Sequence, residues 1–188
     1  ERFMKILSYE PVLKNFKLLE LNTEDLDNVE IFNFGISNIN EEKMINVTKE
    51  NMGASSTTYT HANDNSFEKI MLKNLNEEDI LNEKIGLVKI DIEGMEYQAL
   101  LGISKMIKRD SPVILYENIK FEEIMGDNCK IMNLLKSYGY SNFYTFKKKK
   151  YSLMSIVFNF LSNDEYEIVK LKKIKNKKDY SRMIIAHV

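Results

Sequence analysis

The sequence predicts an α/β fold, a doubly wound and mainly parallel sheet crossed over by helices. Short apolar, β-rich runs alternate with stretches of helical spacing, the pattern of strand–crossover–strand units. Acidic residues close three of those runs, at Glu10, Asp91 and Glu117. The length, 188 residues, suits one domain with a substantial core, and no repeat or Pro/Gly/Ser linker divides residues 1–188.

Residues 4–9 (M-K-I-L-S-Y) read as a strand ending at Glu10-Pro11. Pro11 suits the first position of a helix, where a missing N–H costs nothing. Val12, Phe16 and Leu19 then recur at helical spacing, and the pattern fades by Asn22. Residues 29–37 (V-E-I-F-N-F-G-I-S) alternate and read as a second strand. Residues 38–82 are less regular, with a polar loop over 51–65 and a strand followed by a turn over 67–75. Residues 87–92 (L-V-K-I-D-I) form a compact buried-strand pattern closed by Glu93-Gly94. Ala99, Leu100, Ile103, Met106 and Ile107 follow as one amphipathic helix. Residues 112–117 (P-V-I-L-Y-E) are the next strand. Asp127 is placed to cap a helix presenting Ile131, Leu134, Leu135 and Tyr138, with Gly139 as its stop. Residues 142–146 and 182–188 read as two last strands, closing the sheet with an antiparallel end and flanking a basic insertion.

That insertion, residues 147–178, holds ten lysines against Asp164, Glu165 and Glu167, a local balance of +7. The remainder therefore carries −8 to give the overall −1. Two readings fit: a lysine-flanked apolar run (153–161) at an anionic membrane surface, or a small helical subdomain packing that run on the core. No window reaches the ~18 to 20 apolar residues of a membrane span, and the N-terminus carries no signal-peptide pattern. Cys129 stands alone, which excludes an internal disulfide and reads as cytoplasmic. With two histidines and that one thiol, His/Cys zinc clusters are close to excluded, which leaves only carboxylate sites for hard metals. No nucleic-acid partner is expected.

In open parallel sheets the site lies beyond the carboxyl ends of the strands. An acid at such an end, ahead of a helix, accepts hydrogen bonds from ribose hydroxyls; this is the reading for Glu10, with helix capping as its rival. Asp91, Glu93 and Glu117 are the candidate bases. Asp91 could instead orient backbone groups, and Glu93 and Glu96 could be first-turn acids favoured by the helix dipole. His61 falls in the polar loop and reads as exposed. No metal site is assigned.

The run V-K-I-D-I-E-G-M-E (88–96), its helix and P-V-I-L-Y-E-N resemble the signature of the FkbM family of S-adenosylmethionine-dependent methyltransferases. S-Y-E-P, N-V-E-I-F-N-F-G-I-S and the Gly53-Ala54-Ser55-Ser56 loop are similar to that family too, so the likeness covers about residues 5–146. Met95 departs from it, where many relatives carry histidine. The resemblance implies a Rossmann-like class I methyltransferase fold with an antiparallel last strand. It implies S-adenosylmethionine as cofactor and methyl transfer to a hydroxyl on a sugar, glycan precursor or other small metabolite. By position it implies that Glu10, beside Pro11, holds the ribose and that Phe34-Gly35-Ile36 lie along the adenine. Asp91 would sit beside the methionine part or the acceptor. In this fold the first strand lies between residues 4–9 and 87–92 and ends in a glycine-rich turn. No such turn precedes Glu10, so the first strand and its loop are expected to be missing, the chain as given to be inactive and the cofactor site incomplete. A non-catalytic remnant, binding through the basic insertion, is the alternative.

Overall fold

The computed structural model describes residues 4–47, 66–77, 83–92, 94–118, 129–148, 166–171 and 181–188. The chain divides into two compact units, Glu1–Glu83 with Glu93–Met106, and Lys84–Ile92 with Ile107–Val188. The polar loop around His61, Glu93, Asp127 and the apolar run 153–161 lie outside the described residues.

The first unit opens with a β–α–β crossover. Strand β1 (Ile6–Tyr9) runs parallel to β2 (Val29–Phe32), with Tyr9 opposite Phe32. Helix α1 (Leu13–Thr23) connects them. It starts two residues later than the expected position of Pro11, with Val12 at the cap position, and carboxylates accept from the amides at its entry. Glu10 Oε1 accepts from Val12 N at 2.8 Å, and Glu68 Oε1 from Leu13 N at 2.6 Å.

The single strand expected over 29–37 is two. β3 (Gly35–Ile36) leaves the first sheet and pairs in parallel with β5 (Ser66–Lys73). The break falls at Asn33, whose Nδ2 turns back to the carbonyls of Glu10 (2.9 Å) and Pro11 (3.3 Å). The irregular stretch after it contains a strand not expected, β4 (Glu41–Val47), antiparallel to β5 in the order β3-β5-β4. The expected strand over 67–75 is β5, followed by a 3-10 turn at Leu75–Glu77. Val12, Ile45, Ile70 and Leu72 make the core here, and Met95 packs against it.

The one expected helix after Gly94 is also two, α2 (Glu96–Gly102) and α3 (Ser104–Asp110). The cause is Asn76. Its Nδ2 donates to Leu101 O at 2.7 Å and its Oδ1 accepts from Lys105 N at 2.8 Å. In an unbroken helix that carbonyl and that amide would bond each other, so the inserted side chain replaces one rung of the ladder.

The second unit is a five-stranded mixed sheet in the order β6-β7-β10-β8-β9. β6 (Leu87–Ile90) is parallel to β7 (Val113–Glu117), while β10 (Met183–His187) is antiparallel to both β7 and β8 (Asn142–Lys148). Ile114, Tyr116, Ile184 and Ala186 alternate onto one fully buried face. Each larger apolar side chain there contributes about 1.5–3 kcal/mol by burial. Helix α4 (Lys130–Ser137) is preceded by Cys129 at the cap position rather than by Asp127, and Gly139 ends it at φ +95°. The basic insertion holds a further strand, β9 (Tyr166–Lys170), antiparallel to β8. With β4 and β9 added, the described strands pair antiparallel more often than parallel, which corrects the mainly parallel sheet expected. β1 and β6 are each paired on one side only among the described residues.

Candidate cofactor and active site

Phe32 O accepts from Glu10 N at 3.0 Å, which carries the β1–β2 ladder to the end of the strand and fixes the turn into α1. Glu10 is half-buried, and burial pushes its carboxyl above the usual carboxylate range. Hydrogen bonds from Val12 N–H and the Asn15 side chain oppose that rise, and the Glu68 carboxylate adds to it. The helix-capping rival weighed for Glu10 does not hold: its Oε1 bonds the N–H of Val12, which itself occupies the cap position, rather than a first-turn backbone amide. A carboxylate offers about four acceptor positions, so this bond leaves room for others.

An aromatic group stands beside the turn. Tyr9 stacks on Phe32 (4.9 Å, 13°), and Phe34 tilts against both at 5.4 and 5.7 Å. Phe34 is buried, with Lys73 Nζ 4.7 Å above its ring. Gly35 is a close approach: a Cβ there would lie 2.7 Å from Leu72 Cδ2 and 3.4 Å from Pro11 Cγ. Ile36 pairs with Lys73 at the end of β3. The first unit therefore gathers Glu10, Pro11, Phe34 and Gly35 around one turn. Asn33, which ties β2 to that turn, was not singled out from the sequence; its signal was a polar residue interrupting a β-rich run. A cleft of about 610 Å³ opens beside it, lined among others by Pro11, Asn33, Lys14, Lys17 and Met71.

In the second unit Ile90 and Tyr116 are register partners on parallel strands. Asp91 and Glu117, each one residue further along, thus stand at neighbouring carboxyl ends. Asp91 Oδ2 pairs with Lys89 Nζ at 3.0 Å, both half exposed. Glu117 is sequestered, its side chain 12% exposed, with Arg182 Nη1 at 3.8 Å from Oε1. Arg182 also anchors the chain through its carbonyl, which accepts from Asn118 N at 2.7 Å. Between Asp91 and α2 the backbone turns at Gly94, φ +106°, a conformation that L side chains rarely adopt. Gly94 N donates to Glu96 Oε1 at 3.0 Å, so Glu96 serves the start of α2 as the first-turn reading expects. Met95 is part of the packing of the first unit. Among the described residues no three His, Cys, Asp or Glu gather to hold a metal ion. No helix among them is long and apolar enough to cross a membrane.

A β–α–β crossover with an acid at the carboxyl end of its first strand is the arrangement in which α/β folds place a ligand site. The methyltransferase FkbM domain matches residues 4–141, and the chain belongs to that family. Among solved structures it is similar to a methyltransferase FkbM from Methylobacillus flagellatus KT, with a TM-score of 0.56 at 14% identity. That likeness, which shows the fold, covers 99% of this chain and 37% of the other. A precorrin-6y C5,15-methyltransferase from Geobacter metallireducens GS-15 aligns over 98% of this chain and 68% of its own, at 12% identity and a TM-score of 0.41. No curated protein matches.

Proposed function

We propose that this protein is an S-adenosylmethionine-dependent O-methyltransferase acting on a hydroxyl of a sugar, glycan precursor or small metabolite. The observation that carries the cofactor half is the half-buried Glu10 carboxylate, one turn from Phe34 and Gly35. When bound, the cofactor supplies a methyl group on a positively charged sulfur, open to in-line attack. Glu10, beside Pro11, would accept hydrogen bonds from the ribose hydroxyls, and Phe34-Gly35-Ile36 would lie along the adenine. Asp91 and Glu117, at the carboxyl ends of β6 and β7, are the candidates to take the proton of an acceptor hydroxyl; in the transfer an oxygen–methyl bond would form as the methyl–sulfur bond breaks, leaving S-adenosylhomocysteine. Alignment supplies much of the rate and the base contributes about 10²- to 10⁴-fold.

Calorimetry with S-adenosylhomocysteine tests the reading. The natural full-length protein should bind it, and Glu10→Gln should weaken binding by about 1–3 kcal/mol, the scale of a hydrogen bond to a charged group. Equal affinity in the variant removes Glu10 from the site, and absence of binding by the wild type removes the cofactor.

A further inference from the structure

We infer that the edge of β9 turned away from β8, unpaired among the described residues, pairs antiparallel with the β9 edge of a second copy of this chain, about a two-fold axis through Ile168. Among the described residues β9 is bonded only to β8. It carries exposed apolar side chains on one face, Tyr166 (54%) and Ile168 (61%). An open edge of this kind is a template for another strand.

The strand is self-complementary in one register. A symmetric antiparallel pair has its axis perpendicular to the sheet, so pairing must be centred on a residue. Centring on Glu167 sets two carboxylates against each other. Centring on Val169 sets Glu167 opposite the buried Leu171. Centring on Ile168 sets Tyr166 opposite the partner's Lys170, and Ile168 opposite the partner's Ile168. β8 already prepares both rows. Its Phe146 is the register partner of Ile168, and its Tyr144 that of Lys170, whose Nζ lies 5.9 Å from the Tyr144 ring. Pairing therefore makes an apolar row running from Phe146 through both Ile168 residues to the partner's Phe146. On either side, each Lys170 lies between Tyr144 of its own chain and the partner's Tyr166, favourable for a cation between aromatic faces. The flanking sequence, acidic before Tyr166 and basic after Leu171, has the same polarity.

A five-residue edge is small beside the roughly 1,200–2,000 Å² of a stable interface, so the association is weak and lost on dilution. Sedimentation velocity of the full chain over a concentration series should show a monomer converting to a two-chain species and stopping there. Ile168→Glu, which sets like charges across the axis at an exposed position, should abolish the larger species while keeping the melting temperature. Ile168→Cys should give a disulfide-linked dimer on mild oxidation, since directly opposed residues approach closely enough and the other thiol, Cys129, is buried. A monomer at every concentration, an Ile168→Glu variant that still dimerises, or an Ile168→Cys variant that does not cross-link would overturn the inference.

Discussion

Glu10 carries two demands that oppose each other. Burial disfavours its charge, while the hydrogen bond from Val12 N–H favours it, and the pH dependence follows from the direction of the shift. Its folded-state pKa lies above the unfolded value, so the folded protein holds the proton more tightly and ionisation costs stability at neutral pH. The cost disappears as pH falls below the unfolded value. Glu10→Gln, which keeps an acceptor for Val12 N–H, should therefore melt at least as high as the wild type at neutral pH, with any gain vanishing in acid. A lower neutral-pH melting temperature would show that the charge itself holds the turn. Asp91 is the converse case. Its surface pair with Lys89 is worth about 0–1 kcal/mol, so Asp91→Asn should leave thermal stability nearly intact while turnover falls at least tenfold if Asp91 is the base. Measuring both in one preparation separates catalysis from folding.

At the level of elements, polar side chains set where helices and strands stop. Asn33 ends β2 by bonding the Glu10-Pro11 turn, and Asn76 divides α2 from α3 by taking the Leu101 carbonyl and the Lys105 amide. Tyr140 does the same for the second unit. Its buried hydroxyl donates to Pro112 O at 2.6 Å, tying the turn after α4 to the start of β7, and burial pushes its pKa up to about 12. Tyr140→Phe leaves that carbonyl unsatisfied and should cost about 1–3 kcal/mol in chemical denaturation; a neutral result would mean water replaces the bond. Gly94→Ala meets no atom within 4 Å, so its cost comes from φ alone, about 1–2 kcal/mol.

Over the whole molecule, protection should follow the order of strands in each sheet. β7 and β10 are flanked on both sides and carry the fully buried Ile114, Tyr116, Ile184 and Ala186. Among the described residues β1 and β6 are flanked on one. Native-state hydrogen exchange should find the slowest amides in β7 and β10, with fast alternate amides in β1 and β6. Uniform protection of β1 would mean that its outer edge is covered.

Local pattern determined much of this. The runs at Ile6–Tyr9, Leu87–Ile90 and Val113–Glu117 are strands because apolar, β-branched side chains recur there, and α1 and α4 follow a helical spacing that any window of the sequence displays. The strand-end acids were legible for the same reason, since Glu10, Asp91 and Glu117 follow directly from the strand boundaries. The family was legible in K-I-D-I-E-G. What periodicity does not encode is the partner across space. The split of residues 29–37 depends on Asn33 reaching a turn some twenty residues earlier, and the split of α2 from α3 on Asn76 arriving from another element. β4 is a strand because β5 lies against it along seven residues, although Glu41, Glu42 and Lys43 open it. β9 sat within a charged segment whose lysines masked the Y-E-I-V-K pattern until β8 supplied its ladder. Propensity and period act over a few neighbouring residues, whereas hydrogen-bond satisfaction is settled by whatever the fold brings alongside, and so only the tertiary structure could decide where these elements end.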